Sequence, residues 1–309
     1  MRNNVPPHAL QIRTADGTRA PMTIPMVPGL AALAADYDGY ILDVWGVMHQ
    51  GGAAYPEALA CVRQLREAGK RVVFVSNAPR LAGQVERVLN GKGVDAALYD
   101  AVVASGDAAR RALADPTRLP FDGLGTRYNL LGPPGSDDVL EGLSYTEAGI
   151  ADADFLLGIG LDDGRETVKD HEPILQAAAA RDLPMICVNP DLLVIRLGVQ
   201  EPCAGALAAR YEEIGGRVRY YGKPYADVYD LAMAALGVPP ARVLAVGDGL
   251  ATDIAGANAA GLDSLLITGG LLADALDLAP GAAPSASALD DACRAAGAKP
   301  SAALPSFIW

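Results

Sequence analysis

Short apolar runs that close on a polar residue and lead straight into a helical pattern recur along this chain, and they leave few folds open. Tyr40-Ile41-Leu42-Asp43 runs through a glycine turn into a helix opened by Pro56 and closed by Gly69. Proline near a helix start and glycine just past its end are the expected punctuation. Arg71–Val75 is the next strand and ends on Ser76-Asn77; a helix over Leu81–Leu89, a strand at Val102-Val103 and a helix from Asp107 to Leu113 follow. Repeated βα units of this kind predict a parallel sheet with helices on both faces, a doubly wound α/β core.

The alternation changes character between about residues 122 and 217. Apolar runs Phe155–Ile159 and Pro184–Val188 lie there with helices of their own. The first pattern then resumes with Val218–Tyr221, a helix from about Asp227 to Leu236 and the strand Arg242–Val246. The expected organisation is therefore a core over 1–121, an inserted α/β domain over 122–217 and the rest of the core over 218–309. Residues 1–28, rich in Pro, Asn and Thr, read as a loose arm. The stretch 275–288 reads as a loop or frayed helix. The tail Phe307-Ile308-Trp309 reads as docked on the core, with a homodimer contact as the alternative.

Composition removes several function classes. The net charge of −12 argues against nucleic acid or an anionic membrane as partner. No run approaches the roughly 20 apolar residues of a membrane span, and the N-terminal residues lack the basic-then-apolar pattern of a secretory leader. A cytoplasmic protein is expected. Four scattered cysteines without a Cys-x-x-Cys pair read as small core residues of a reducing compartment. Three histidines, none at ligand spacing to a cysteine, make a zinc site improbable.

In open α/β sheets the chemistry lies outside the carboxyl ends of the strands. Four strand ends of the expected core carry polar residues there. They are Asp43, Ser76-Asn77, Lys223 after Tyr220-Tyr221-Gly222, and the loop Gly247-Asp248-Gly249-Leu250-Ala251-Thr252-Asp253. Taken singly, each is more often a cap or a tight turn. Their joint appearance in this order is much harder to obtain by chance. Asp162-Asp163-Gly164 and Asn189-Pro190-Asp191 read as turns of the inserted domain, either of which could face a substrate.

With these four motifs, Asn189-Pro190-Asp191 and Cys203-Ala204-Gly205-Ala206-Leu207, the chain resembles the haloacid dehalogenase superfamily of Mg-dependent phosphohydrolases. It looks most like the class IIA subgroup of nitrophenyl-, sugar- and pyridoxal-phosphatase relatives. The resemblance covers about residues 38–270 and implies that the insertion is a cap over the active site. It implies hydrolysis of a small phosphorylated metabolite, with Asp43 as the nucleophile that forms an aspartyl-phosphate. Mg²⁺ would be held by Asp43, the backbone carbonyl of Trp45 and Asp248, with Asp253 a further ligand or acting through a bound water. Ser76 and the backbone N–H of Asn77 would bind phosphoryl oxygens, Lys223 would neutralise charge, Asn189 would contact substrate, and the Trp45 ring would wall the substrate pocket or else be a core aromatic.

One position departs from the pattern. Phosphatases of the superfamily carry a second aspartate two residues after the nucleophile, an acid/base for the leaving alkoxide and the hydrolytic water. Here that residue is Trp45, whose indole offers one N–H and no useful acid. Three consequences are open: substrates with good leaving groups, a substitute acid such as His49, Asp162, Asp163 or Asp191, or a phosphate-binding or regulatory protein with weak turnover. Dehalogenases of the superfamily carry an aromatic residue at the matching position, but Asp248 and Asp253 together look like metal ligands and count against carbon–halogen chemistry.

Overall fold

The computed structural model describes residues 24–309 except 116, 118, 122, 162–165 and 280. Among the described residues the chain forms two parallel sheets, each in its own compact unit. One unit comprises 77–85 and 104–228; the other comprises the described residues up to 76, then 86–103 and 229–309.

The strands in chain order begin with β1 (Gly39–Asp43), β2 (Arg71–Ser76) and β3 (Ala101–Ala104). Next come β4 (Arg127–Leu131), β5 (Thr146–Glu147), β6 (Phe155–Gly158) and β7 (Pro184–Cys187). A hairpin of β8 (Leu193–Arg196) and β9 (Val199–Pro202) precedes β10 (Arg217–Tyr220), and β11 (Val243–Gly247), β12 (Asp263–Ile267) and β13 (Ala302–Leu304) complete the set. The six-stranded sheet has the order β13-β12-β11-β1-β2-β3. β1 is buried along its whole length and pairs in parallel with both β2 and β11. The chain runs outward from β1 through β2 to β3, then returns on the other side of β1 as β11. The order therefore reverses between β1 and β11, the switch point where open α/β sheets place ligands.

The helix Pro56–Glu67 buries Ala58, Cys61, Val62 and Leu65, one stripe at helical spacing, and begins with the expected proline. The expected helix over 107–113 starts two residues earlier, at Ser105, because Asp107 caps the turn by accepting from the Ala104 and Ala82 N–H groups. Within 275–288, residues up to Ala275 belong to the helix Leu271–Ala275, and Ser285 caps the helix Ala286–Ala296 by accepting from Ala288.

Two expectations need correcting. β10 is a strand of the second sheet, whose order is β10-β7-β6-β4-β5, and it pairs in parallel with β7 from Arg217–Pro184 to Tyr220–Cys187. Val218 and Tyr220 bury their side chains in the apolar cluster of that unit, beside Met185, Leu207 and Tyr211. A boundary at 217/218 would cut this strand from its partner. The last part of the expected loose arm is also fixed: Val27 donates to the Ala303 carbonyl at 3.0 Å, tying it to β13. The C-terminal tail docks on its own chain, with Phe307 buried and the Ile308 carbonyl accepting from Leu30. All four cysteines are buried and reduced. Among the described residues no helix is long and apolar enough to cross a membrane.

Candidate active site

Asp43 is the last residue of β1, and Asp248 follows the last residue of β11. The parallel register Leu42–Val246 brings these two strand ends side by side. Beyond Asp248 the chain makes a π-helical turn over Leu250–Ile254, in which the Ile254 N–H reaches back to the Gly249 carbonyl at 3.1 Å. Widened turns of this kind cluster at functional sites. Here the turn lets Asp253 reach back, so that its Oδ2 accepts from the Gly249 N–H at 3.1 Å and the Thr252 hydroxyl at 3.3 Å. Asp248 Oδ2 accepts from the Leu271 N–H at 3.1 Å.

The result is three buried carboxylates, Asp43, Asp248 and Asp253, with one oxygen from each within 4.8 Å of the others. Two unit charges at that distance repel by about 3.5 kcal/mol at an effective dielectric constant of about 20. A divalent cation among them turns repulsion into attraction. The donor set is all carboxylate oxygen, the preference of a hard cation. The packing is built around these groups: a Cβ on Gly46 or on Gly270 would overlap the Asp248 carboxylate, and Gly46 has φ +86°. The residues present therefore fit a divalent metal.

Trp45 and His49 belong to the turn after β1. Gly46 donates to the His49 carbonyl and Tyr55 to that of Met48, both at 2.8 Å. Lys92 Nζ donates to the carbonyls of Gly51 and Gly52 at 2.7 and 2.6 Å. The Trp45 ring meets the His49 ring edge to face, with centroids 5.0 Å apart at 72°. His49 is buried, and its Nδ1 accepts from the Gly51 N–H at 3.1 Å, so the neutral ring carries its proton on Nε2. Tyr55 escaped the sequence reading. Partial desolvation, and secondarily the charge of Asp248, holds its phenol above the usual value, although the residue is more than a third exposed. Its one sequence signal was its place just before Pro56.

Ser76 ends β2 and is buried; the register pairs Asp43 with Val75, so Ser76 extends one residue beyond the level of Asp43.

In the other unit, Asn77, Asp191 and Lys223 come together. The Asn77 Oδ1 accepts from the Lys223 N–H at 2.6 Å, and its Nδ2 donates to the Lys223 carbonyl at 3.2 Å and to Asp191 Oδ1 at 2.8 Å. Asn189 uses its Oδ1 locally, accepting from the Asp191 N–H at 3.0 Å, an Asx turn. Asp162 and Asp163 lie outside the described residues.

Comparison with known proteins identifies the family. Residues 40–146 match the haloacid dehalogenase-like hydrolase family and residues 220–295 match a HAD-hydrolase-like family. A haloacid dehalogenase-like family hydrolase from Brucella suis 1330 is 32% identical, with 92% of this chain and all of that chain covered and a TM-score of 0.78. The 5'-nucleotidase YutF of Bacillus subtilis (strain 168) is 27% identical over 237 residues, 76% of this chain and 88% of that protein. A glycerol phosphate phosphatase from Mycobacterium tuberculosis, solved in complex with calcium, is 26% identical, covering 77% of this chain and 68% of that one, with a TM-score of 0.59. The chain belongs to the haloacid dehalogenase-like hydrolases.

Proposed function

We propose that the protein is a Mg²⁺-dependent phosphatase of small phosphorylated metabolites, working through an aspartyl-phosphate on Asp43. The observation that carries this reading is the buried trio Asp43, Asp248 and Asp253 at the switch point of a parallel sheet. The names of the relatives, a nucleotidase and a glycerol phosphate phosphatase, support the substrate class. Asp43, the Trp45 carbonyl, Asp248 and Asp253 would hold the cation. When bound, it supplies the positive charge that lets an anionic carboxylate approach a phosphate.

A carboxylate oxygen of Asp43 forms a bond to phosphorus while the phosphorus–oxygen bond to the leaving group breaks, its electron pair departing with that group. Water then attacks the acyl phosphate, restoring the Asp43 carboxylate and releasing inorganic phosphate. Ser76 and the Asn77 N–H take the role of phosphoryl-oxygen donors, and Lys223 neutralises the transferring group.

Trp45 narrows the substrates. A positioned acid contributes roughly 10²–10⁴-fold, and the indole supplies none. His49 is buried against the indole, its Nδ1 already bonded to Gly51. The substrates best served are those whose leaving group departs without a proton: acyl, aryl and anhydride phosphates. Trp45 equally favours a second reading, a phosphate-binding protein with weak turnover.

Nitrophenyl phosphate and an alkyl phosphate, each assayed with and without Mg²⁺, separate these readings. Metal-dependent release that Asp43→Asn abolishes is expected, with the aryl ester preferred by at least about 10²-fold. Trp45→Asp should raise alkyl ester turnover more than aryl. Full activity in Asp43→Asn would sink the covalent mechanism, and equal losses on both esters in Trp45→Asp would sink the missing-acid reading. Saturable phosphate binding with no turnover of either ester would leave the binding reading.

A further inference from the structure

We infer that the side chain of Asn77 is a positioning residue for Lys223, a clamp that fixes the root of the lysine whose ammonium acts on the phosphoryl group. The inference rests on the role proposed for Lys223 above. After β10 the last sheet-like bond is the one from the Tyr221 N–H to the Cys187 carbonyl, at 2.9 Å. Gly222 then turns at φ +126° and takes Lys223 out of reach of β7. At that point the Asn77 amide takes over as neighbour. Its oxygen receives the Lys223 N–H and its nitrogen donates to the Lys223 carbonyl, so one residue has both main-chain groups paired, as in a β ladder.

Only a primary amide presents an acceptor and a donor in one plane on so short a stem. The fit is close on both sides. A Cβ on Gly222 would run into Asn77 Oδ1 and the Pro190 ring, so the glycine is needed for the amide to approach. The second amide hydrogen goes to Asp191, whose own N–H is set by Asn189. The Asn77 main chain is held in turn: the buried Ser105 hydroxyl lies 3.0 Å from the Asn77 carbonyl and 2.8 Å from that of Ala78. A chain of contacts thus runs from Asn189 through Asp191 to Asn77 and Lys223, joining three segments distant in sequence.

The mechanism needs such a clamp. A lysine places a point charge at the end of four rotatable bonds, so error at its backbone is carried to the ammonium. A displacement of about 1 Å in a reacting group can cost about 10²-fold in rate. The clamp acts on the lysine's backbone, which separates it from the role of the Asn77 N–H toward phosphate.

The test is a double-mutant cycle on the full chain, with nitrophenyl phosphate and Mg²⁺. Wild type, Asn77→Ala, Lys223→Ala and the double variant are compared by kcat/KM. Lys223→Ala and Asn77→Ala should each lose about 10²-fold. The double variant should be no worse than Lys223→Ala within about threefold, because groups that act as a unit are not additive. If the two losses multiply, Asn77 acts independently of Lys223 and the inference is overturned. If Lys223→Ala is fully active, the role proposed for the lysine falls, and the inference with it. Should Asn77→Ala fail to fold, the same cycle is run with Asn77→Asp. That variant keeps the acceptor for the Lys223 N–H and opposes its carbonyl and Asp191 with a negative charge, so the same non-additive loss is expected.

Discussion

Replacing Gly46 by alanine tests the architecture of the carboxylate site directly. At φ +86° an alanine adopts a left-handed conformation at a cost of about 1–2 kcal/mol. Its Cβ would also overlap the Asp248 carboxylate, which cannot retreat freely: Gly270 closes on the same carboxylate, and Leu271 N–H holds its Oδ2 at 3.1 Å. Moving the carboxylate breaks a hydrogen bond to a charged acceptor, worth about 1.5–3 kcal/mol. The expected loss is therefore about 2.5–5 kcal/mol. Gly69→Ala is the control. Gly69 has φ +72°, but nothing lies within 4 Å of the place its new methyl would take, so only the backbone cost of about 1–2 kcal/mol applies. Urea unfolding of both variants in EDTA isolates the difference, about 1.5–3 kcal/mol. Displacing one of three carboxylates should also raise the Mg²⁺ concentration for half-maximal nitrophenyl phosphate hydrolysis by about 10–100-fold in Gly46→Ala alone. Equal destabilisation of the two variants, with an unchanged Mg²⁺ midpoint, would refute the account of a slot built around Asp248.

Two further predictions concern charge and burial. Two hydrogen bonds from Arg210, with a lesser one from Gln176, lower the Glu172 carboxyl from 4.5 to about 2. A lowered folded-state value stabilises the protein above pH 4.5 and is lost as pH falls toward about 2. The stability gap between wild type and Glu172→Gln, followed by urea unfolding, should therefore be constant from pH 7 to 5 and shrink below 4.5; a gap independent of pH would contradict this. Burial pushes the thiols of Cys61, Cys203 and Cys293 up to about 12, and that of Cys187 further. A thiol reagent at pH 8 should titrate none of them natively and all four after unfolding, and rapid native labelling would show one to be exposed.

The parts of the fold legible in sequence were those set by neighbours along the chain. Pro56, Gly69 and the stripe from Ala58 to Leu65 announce their helix because capping and periodicity act within a few residues. Asp43, Ser76 and Asp248 could be read for the same reason: each follows an apolar run at its point of exit from a sheet. β10 could not be assigned to its sheet. Arg217–Tyr220 is as short as a core strand, and what decides its membership is the parallel pairing with Pro184–Cys187 more than thirty residues back. Pairing is a property of two segments, and alternation within one does not report it. The fixed end of the N-terminal arm escaped for the same reason, because Val27 owes its place to Ala303 at the far end of the chain.

The same distinction separates Asn77 from Asn189, which look alike in sequence. Each is an asparagine that follows a strand, and each carries a side chain able to bond main chain or substrate. Asn189 turns its oxygen onto the N–H two residues ahead, the local choice that its own segment permits. Asn77 has no such closure; its amide meets Lys223, 146 residues away, and Asp191, 114 residues away. A side chain satisfied within its own turn can be lost at the cost of that turn. One that joins segments this distant holds their relative geometry, so Asn189→Ala should weaken activity less than Asn77→Ala, because in this chain of contacts Asn189 stands one step further from Lys223, behind Asp191.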